Sequence, residues 1–410
     1  MLFEELCLTL QKYHNKHKTR YKTKYQLVMY NKIANKLCDS RTPFYCYDLS
    51  LLRSTLSAIN QEIEGFPFVV HYALKANANA VILGEILKAG IGVDLVSGNE
   101  IVAALEAGFD PSMMTYAGVG KTDWEIETGI DSGIYCFNVE SEPEMEVINE
   151  IAARKGKTVG IALRVNPNID AHTHRYITTG VADNKFGIDI HMLDNVVKKA
   201  MSLSNIHLRG LHFHLGSQIS TIEPFRMLCE KVNEQVDHYE KLGIDFEMID
   251  VGGGLGVDYD TPEENPIAPF KDFFGVFKQG LKLREGQKVH FELGRSIVAQ
   301  CGALISRVVF VKENSAKKFV ILDAGMTDLL RPALYGAHHK IVNLTSQESD
   351  MATYDVVGPI CESSDVFARH ERLPITRRGD LIAILSAGAY GETMASRYNL
   401  RDLPGCQFYK

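Results

Sequence analysis

The sequence predicts an α/β fold: a (β/α)8 barrel of the TIM type, followed by an antiparallel β-sandwich or β-barrel domain. Eight short apolar runs recur between residues 68 and 293, and helical stretches separate them. Alternating strands and helices are typical of a parallel sheet, and eight such units over about 230 residues match the size of a closed barrel. After residue 296 the apolar runs continue without long helices between them, which indicates antiparallel strands. An open doubly wound sheet is the competing architecture, but the even spacing and number of the runs favour the barrel.

The predicted elements follow in chain order. A strand over residues 44–47 and a helix over residues 49–63 precede the first barrel strand. The barrel strands are predicted at residues 68–74, 92–96, 113–117, 134–139, 159–165, 208–215, 246–251 and 289–293. Helices are predicted between them, including residues 81–89, 98–107, 142–155, 193–201 and 222–242. The strands of the second domain are predicted at residues 303–311, 319–322, 340–344, 354–357 and 381–385.

The N-terminal region differs from the rest of the chain. Residues 11–37 carry eight basic side chains and no acidic one. A targeting or RNA-contacting arm is one interpretation. We favour a solvated tail, or sequence upstream of a true start at Met29, because runs of charge are usually solvated. The predicted domains are therefore a basic extension (1–41), the barrel (48–295), and a β domain built from 42–47 and 296–410.

The composition is that of an ordinary globular protein, with 410 residues, a net charge of −7 and 45% hydrophobic side chains. The acidic balance is unlike that of a nucleic-acid or anionic-membrane binder. No run of about 18 apolar residues and no secretory signal pattern occurs, so we expect neither a membrane span nor export. Eight scattered cysteines without a C-x-x-C pair favour the reducing cytoplasm over a disulfide framework or a zinc site. The pair His172 and His174 lacks neighbouring cysteines or carboxylates, so no metal site is predicted.

Polar and glycine residues lie at or just after the carboxyl ends of the predicted barrel strands, where barrels of this type carry their sites. Six of the eight strand ends carry them: Lys75; Asp94 and Ser97; Arg164 and Asn166; His212, His214, Gly216, Ser217 and Gln218; Gly252, Gly253, Gly254 and Gly256; Glu292, Gly294 and Arg295. Residues that merely satisfy a core would gather at one rim less often. We therefore expect a functional site at this end of the barrel.

Lys75 comes directly after the first predicted barrel strand, in the motif HYALKAN. A desolvated lysine has a lowered pKa and becomes an amine nucleophile that can form Schiff bases. The alternative is that Lys75 only ends the strand and keeps its head in water. This stretch by itself does not separate the two interpretations.

Three further features of the predicted rim each have two interpretations. The glycine cluster 252–256 lets backbone amides approach a phosphate, which Ser217 could join, or it makes a tight turn. Glu292 is an acid of the site, or it forms a surface ion pair with Arg295. His214 stacks on an aromatic ring, or it is a satisfied core histidine.

Considered together, the rim residues predict one cofactor. A lysine for an imine, amides for a phosphate and a carboxylate for a ring nitrogen are what pyridoxal 5'-phosphate requires. This cofactor acts as an electron sink for a carbanion at the α-carbon of an amino acid. A carboxylate near the pyridine nitrogen keeps that nitrogen protonated and strengthens the sink.

The chain resembles the diaminopimelate decarboxylase family, in the alanine-racemase-like (fold type III) class of pyridoxal phosphate enzymes. The resemblance runs from about Thr42 to the C-terminus and is carried, in order, by HYALKAN, VDLVSGNE, HFHLGSQ, DVGGGLG, ELGR, DAGMTDLLRPALYGAHH, GPICESSD and GAYG. It implies that Lys75 forms the imine with the cofactor, that His214 stacks on the pyridine face and that Glu292 pairs with the ring nitrogen. The full cofactor-binding set that it implies is Lys75, His214, Ser217, Gly252, Gly253, Gly254, Glu292, Gly294, Arg295 and Tyr390.

The resemblance also implies a substrate with a second amino-acid head, whose buried carboxylate needs an arginine. The substrate contacts that it implies are Arg295, Arg331, Tyr335, Glu362 and Tyr390. Cys361 would protonate the α-carbon after carbon dioxide leaves, acting with Lys75 and His214. In this class Cys361 and Glu362 come from the partner subunit, so a homodimer is implied. The alternative for Cys361 is an ordinary small buried residue.

The leading prediction is decarboxylation of meso-2,6-diaminopimelate to L-lysine and carbon dioxide, the last step of lysine biosynthesis. The alternatives are a related decarboxylase acting on ornithine, arginine or carboxynorspermidine, a racemase, and a non-catalytic regulator of the same fold. Arg331 favours diaminopimelate, because an ornithine-type site would want an acid for a distal amine. Two departures from the family pattern, Asn99 in SGNE and Leu293 in ELGR, replace no side chain with assigned chemistry.

Overall fold

The computed structural model describes residues 40–169 and 185–410, which form two compact units. The barrel unit consists of Leu49–Val257 and Ile267–Val298. The β unit consists of Ala299–Lys410, the segment Asp258–Pro266 and the described residues 40–48. The basic N-terminal segment and the pair His172 and His174 lie outside the described residues.

The barrel unit contains a closed ring of eight parallel strands, as the sequence predicts. In chain order these are β2 (Phe68–Ala73), β3 (Gly92–Leu95), β4 (Met114–Tyr116), β5 (Cys136–Val139), β6 (Val159–Asn166), β8 (Ile206–His212), β9 (Met248–Asp250) and β10 (Lys288–Leu293). Around the ring the strands lie in the order β5, β4, β3, β2, β10, β9, β8 and β6, and β10 pairs with β2, the first strand of the ring in the chain. The pairing of β5 with β6 closes the barrel. A two-residue strand, β7 (Ile188–Asp189), pairs with β6 outside the ring.

Helices follow most of the barrel strands. Helix α1 (Leu49–Ile63) precedes the first barrel strand. The helices that follow strands are α2 (Ala80–Lys88), α3 (Gly98–Glu106), α4 (Asp123–Ser132), α5 (Glu142–Arg154), α6 (Leu193–Ser202), α7 (Glu223–Lys241), α8 (Phe270–Gly280) and the single turn α9 (Arg295–Val298). Several begin at a side-chain cap: Asn79, Ser97 and Ser141 each accept a hydrogen bond from the first turn of the helix that follows. These caps fix where each helix begins and therefore where the loop before it ends.

Aromatic packing holds the helices against the outside of the barrel. Phe291 on β10 contacts Phe68 on β2 and Phe274 on α8, with ring centroids 5.1 and 5.0 Å apart. Phe225 on α7 packs edge-on against Phe273 of α8 at 5.0 Å. Odd and even residues of a strand face opposite sides, so Phe291 faces the helices while its neighbour Glu292 faces the barrel interior.

The β unit is a mixed sheet that is mostly antiparallel. Its strands are β1 (Phe44–Asp48), β11 (Gly302–Glu313), β12 (Lys318–Leu322), β13 (Ile341–Asn343), β14 (Met351–Val357), β15 (Val366–Pro374), β16 (Leu381–Ile384) and β17 (Gly405–Tyr409). β1 pairs with β11, as expected for residues that precede the barrel. Two pairings, β1 with β17 and β12 with β14, are parallel, so the sheet is less uniform than the sequence predicts.

The predicted fold class is confirmed, with small differences in the elements. Strands β15 and β17 are absent from the prediction, because β15 has four consecutive polar residues at its centre and β17 is only five residues long, so neither contains a long apolar run. The β unit also contains the short helix α10 (Arg331–Tyr335). Within the described ranges, no helix combines the length and the apolar character that crossing a bilayer needs.

Candidate active site

Lys75 does not lie in a strand. β2 ends at Ala73, and the chain then makes one 3₁₀ turn over Leu74–Ala76 that carries Lys75. The hydroxyl of Tyr72 donates to the carbonyl of Asn77 at 2.9 Å, which braces this turn. The lysine side chain is 41% exposed and its Nζ atom lies 3.5 Å from Oδ2 of Asp94. The amine is therefore accessible at the rim, and it is held near a buried acid.

Asp94 is a buried carboxyl at the end of β3. Burial, with a further contribution from Glu292, raises its pKa to about 8, although Lys75 acts in the opposite direction. Its Oδ1 atom is enclosed and has no hydrogen-bond partner among the described residues. A buried polar atom of this kind is suited to a polar ligand.

Glu292 lies at the end of β10 and is buried, so the alternative of a surface ion pair with Arg295 is wrong. Asn138 at the end of β5 donates from Nδ2 to Oε1 of Glu292 at 2.9 Å. Nε2 of His212 lies 3.3 Å from Oε2, and Nδ1 of His214 lies 3.8 Å from the same oxygen. Burial alone would raise the pKa of Glu292, but His212 and Lys75 hold it below its usual range. Glu292 is therefore an anion inside the barrel.

Asp250, the last residue of β9, links Glu292 to the glycine turn. Its Oδ1 atom accepts a hydrogen bond from the backbone amide of Gly252 at 2.8 Å. Burial, and then the charge of Glu292, raises the pKa of Asp250 well above its usual value. A raised pKa at Asp250 beside a lowered pKa at Glu292 is the pattern of two buried acids that share one charge.

The turn over Gly252–Gly254 has no room for side chains. A Cβ atom on Gly253 would lie 1.8 Å from the carbonyl oxygen of Glu292, and one on Gly254 would lie 2.5 Å from that of Gly216. Gly252 has φ +68° and Gly254 has φ +99°, both in the region that favours glycine. The turn thus exposes backbone rather than side chains, which fits close approach of a phosphate.

Ser217 and Arg295, predicted from different motifs, meet in the structure. Nε and Nη2 of Arg295 donate to Oγ of Ser217 at 3.3 and 3.0 Å. The serine hydroxyl accepts from the guanidinium and keeps its own hydrogen available for an anion. Gly294 precedes Arg295, and its carbonyl accepts from the amide of Ile297 in the helical turn α9. Ser217 and Arg295 together form a polar, cationic contact within the barrel unit.

His214 lies beside the same turn. The amide of Gly253 donates to its Nδ1 atom at 3.3 Å. Burial, together with Arg164, lowers the pKa of His214 to about 3, so the ring is neutral. A neutral imidazole held by its Nδ1 atom offers a flat face to an aromatic ligand. Arg164 itself pairs with the buried carboxylate of Glu140.

Sequence reasoning identified the rim but missed three of its residues: Asn138, Glu140 and Asp250. Glu140 holds Arg164 and also accepts from the amide of Gly187 at 2.8 Å. Asp250 directly precedes the glycine cluster, and Asn138 lies at the end of a predicted strand. Their positions in the sequence could therefore have identified them as residues of the site. Among the described residues, His212, Asp250 and Glu292 also bring ligand-type atoms within 4.8 Å of one another. We attribute this cluster to the hydrogen-bonding of Glu292, because Asp250 already accepts from Gly252.

The remaining predicted residues lie in the β unit. Arg331 begins helix α10, is 5% exposed and donates from Nη1 to the hydroxyl of Tyr259 at 3.0 Å. Tyr335 ends the same helix. Cys361 and Glu362 are exposed, which excludes the alternative that Cys361 is an ordinary buried residue of this chain. Glu362 accepts a hydrogen bond from the hydroxyl of Tyr398. Tyr390 has a backbone φ of +55°, which is unusual for a residue other than glycine.

The residues of the barrel unit fit pyridoxal 5'-phosphate. A backbone turn without room for a Cβ atom suits its phosphate, and an accessible amine at Lys75 suits its aldehyde. The buried anion of Glu292 suits a protonated ring nitrogen, because an uncompensated buried charge is costly and such a ligand supplies the opposite charge.

Comparison with known proteins agrees with this site. The family model for pyridoxal-dependent decarboxylases, pyridoxal-binding domain, matches residues 49–299. A diaminopimelate decarboxylase of Bacteroides thetaiotaomicron is 56% identical over 365 residues, which cover 89% of this chain and 94% of the relative.

The chain belongs to the diaminopimelate decarboxylase family.

The family predicted from the sequence is thus confirmed, and the matched model is that of a pyridoxal-binding domain. A diaminopimelate decarboxylase of Aquifex aeolicus is 42% identical and covers 88% of this chain and 84% of its own length. The crystal structure of a diaminopimelate decarboxylase from Helicobacter pylori in complex with L-lysine is also similar. It has a TM-score of 0.86 and 40% identity, and the match covers 91% of this chain and 92% of that one.

Proposed function

We propose that the protein decarboxylates meso-2,6-diaminopimelate to L-lysine and carbon dioxide, the last step of lysine biosynthesis, with pyridoxal 5'-phosphate as cofactor. The observation that carries this proposal is the buried anion of Glu292, held by Asn138 and His212 in a chain 56% identical to a diaminopimelate decarboxylase. A buried acid fixed at a barrel rim beside a glycine turn matches the needs of this cofactor more closely than those of a structural core.

When bound, pyridoxal phosphate supplies an electron sink for the pair left on the α-carbon as carbon dioxide departs. Lys75 would hold the cofactor through Nζ. The turn of Gly252, Gly253 and Gly254, which has no side chains, would let the phosphate approach the backbone, and the hydroxyl of Ser217 would donate to it. Glu292 would keep a proton on the ring nitrogen, and the neutral ring of His214 would support the face of the cofactor. Gly294, Arg295 and Tyr390 complete the set that we assign to cofactor binding.

The distal amino-acid head of the substrate would be recognised by charge. Its carboxylate would pair with Arg331 and Arg295, and its ammonium with Glu362, while Tyr335 and Tyr390 add hydroxyl contacts. A guanidinium binds a carboxylate through two parallel hydrogen bonds, which gives direction as well as attraction. An amine without the distal carboxylate could not form this ion pair with Arg331 and should bind less tightly.

Cys361 would return a proton to the α-carbon after carbon dioxide leaves. Its thiol lies on an exposed segment next to Glu362. We propose that this segment serves the site of a second copy, so that the active form is a homodimer with shared sites. We also propose that the enzyme works in the cytoplasm, in line with its scattered cysteines.

The shared-site proposal has a direct test in mixed dimers. Lys75→Ala and Cys361→Ala variants should each be inactive or nearly so as pure proteins. Mixed and re-equilibrated, they would form hybrid dimers with one intact site, and activity should return to about a quarter of wild type from random assortment. No recovery in a mixture that demonstrably exchanges subunits would contradict shared sites. Lys75→Ala mixed with Glu292→Gln serves as the control, because both changes damage the same unit and no intact site can form.

The activity itself is tested by carbon dioxide release. Purified holoenzyme should release carbon dioxide from meso-diaminopimelate, and L-lysine should accumulate in equal amount. L-lysine, L-ornithine and L-arginine, each supplied alone, should be turned over at least 100-fold less efficiently, because none presents a distal amino-acid head to Arg331. Turnover of ornithine or arginine in preference would identify a related decarboxylase. Cofactor binding with no turnover of any amino acid would identify a non-catalytic regulator.

A further inference from the structure

The segment Asp258–Pro266 interrupts the barrel sequence and belongs to the β unit. Asp258 shapes it: Oδ1 accepts from the amides of Asp260 and Thr261 at 2.9 and 2.8 Å, and Oδ2 accepts from Asn265. The carbonyl of Asn265 accepts in turn from Gln300. Side-chain acceptors for successive backbone amides are a strong local constraint on a turn. The segment is thus a fixed structure rather than a loose excursion.

The second residue of this segment, Tyr259, contacts Arg331. Nη1 of Arg331 donates to the tyrosine hydroxyl at 3.0 Å, and the guanidinium carbon lies 5.2 Å from the ring centroid. The ring of His339 packs edge-on against the ring of Tyr259, with the ring centroids 5.0 Å apart and the ring planes at 77°. Tyr259 is therefore held by His339 and by its own segment while it holds the guanidinium.

We propose that Tyr259 is a positioning residue that orients Arg331 for the distal carboxylate of the substrate, and so helps to select a substrate with two amino-acid heads. This inference rests on the function proposed above. An arginine side chain has several rotatable bonds, and fixing its planar fork in advance reduces the entropy lost when a carboxylate binds.

The chemistry of a tyrosine suits this role better than that of an acid. A carboxylate beside Arg331 would pair with the guanidinium and compete with the substrate. A phenol hydroxyl accepts a hydrogen bond and a ring face attracts the cation, but neither neutralises its charge. Tyr259 thus orients the arginine without neutralising its charge.

The test is Tyr259→Phe in the holoenzyme, which keeps the ring and its packing and removes only the hydroxyl. KM for meso-diaminopimelate should rise about tenfold, the size expected for one lost hydrogen bond to a charged group, while kcat stays within about twofold. The visible spectrum of bound cofactor should not change. Tyr409→Phe removes another phenol hydroxyl of the β unit, one that donates to Gln407, and is the matched control.

A second measurement separates positioning of Arg331 from general structural damage. L-lysine and 1,5-diaminopentane are compared as competitive inhibitors, because they differ by the carboxylate that Arg331 would bind. Tyr259→Phe should weaken inhibition by lysine about tenfold and leave that by the diamine within twofold. The ratio of the two constants does not depend on the fraction of enzyme that is folded. Adding Tyr259→Phe to Arg331→Ala should have no further effect on lysine, because the oriented group is already absent.

The proposal is overturned if Tyr259→Phe leaves KM within twofold of wild type. It is also overturned if Tyr259→Phe weakens inhibition by lysine and by the diamine equally. The same holds if its effect on lysine inhibition adds fully to that of Arg331→Ala. These outcomes are distinct from a failure of the proposed function. In that case the wild-type enzyme would release no carbon dioxide from meso-diaminopimelate, whichever residue stands at position 259.

Discussion

The Nε2 atom of His212 lies 3.3 Å from Oε2 of Glu292, and both side chains are buried. Asn138 donates to the other oxygen at 2.9 Å. Both oxygens of Glu292 therefore have a partner from another strand of the barrel, β5 for one and β8 for the other. An acid held in this way needs no rearrangement to meet a protonated ring nitrogen, and such preorganisation is where active sites gain most of their electrostatic effect.

Replacing Glu292 with glutamine should lower kcat by on the order of 10²-fold, comparable to the loss of one preorganised electrostatic contact in other enzymes. The amide keeps the shape but cannot stabilise a positive ring nitrogen. The cofactor should remain bound, which absorbance after gel filtration would show. Glu247→Gln, which changes an exposed carboxylate that pairs with Arg209, should leave kcat unchanged and is the control. A Glu292→Gln enzyme with wild-type kcat would remove this acid from the mechanism.

Asp250 should tolerate asparagine far better than alanine. Burial and the charge of Glu292 raise the pKa of Asp250 well above its usual value, which favours the protonated form, and asparagine resembles that form. Asparagine can still accept from the amide of Gly252, whereas alanine leaves that buried amide unpaired, a loss of about 1–3 kcal/mol. Urea unfolding and cofactor titration would measure the two effects. Equal damage by both substitutions would mean that the protonated form of Asp250 is not what the structure uses.

Acid should destabilise the barrel partly through His71. Its Nε2 atom lies 2.8 Å from Nδ1 of His290, and burial lowers the pKa of His71 from 6.5 to about 4. A lowered histidine pKa means that the unfolded chain takes up the proton first. The stability is therefore present above pH 6.5 and is lost as the pH falls toward 4. Between pH 7 and pH 5 this histidine alone should lower the free energy of unfolding by about 2 kcal/mol.

His71→Gln cannot take up this proton. The stability difference between wild type and His71→Gln, measured by urea unfolding, should therefore shrink by about 2 kcal/mol from pH 7 to pH 5. His191→Gln, at an exposed position, should show no such change in its difference from wild type. If the difference in free energy of unfolding between wild type and His71→Gln stays constant from pH 7 to pH 5, burial does not hold His71 neutral.

The barrel could be predicted from the sequence because its signals are local. Each strand is a short apolar run with polar residues at its carboxyl end. Because the strands of the barrel are parallel, these ends all lie at one rim. The sequence alone therefore predicts Lys75, the glycine turn and Glu292 as residues of the site. The wrong alternative for Glu292, an ion pair with Arg295, arose because sequence proximity does not reveal that one side chain faces the interior. Arg295 instead meets Ser217, which is 78 residues away.

Other parts of the site depend on contacts that no local pattern encodes. Asn138 ends a strand like many others, and only the closing of the ring brings it to Glu292, 154 residues away. Tyr259 lies 72 residues from Arg331, on a segment whose membership in the β unit follows from packing. The parallel pairings of β1 with β17 and of β12 with β14 likewise depend on long-range packing.

The measurement that tests the central claim most directly is chemical trapping of the cofactor. Holoenzyme treated with borohydride is digested, and the peptide that carries the pyridoxyl group is identified by mass spectrometry. We predict that the label lies on Lys75 and that Lys75→Ala yields no label and no visible absorbance band, while Lys88→Ala behaves as wild type. A label on a different lysine of wild-type enzyme, or turnover by Lys75→Ala, would contradict the account of this site.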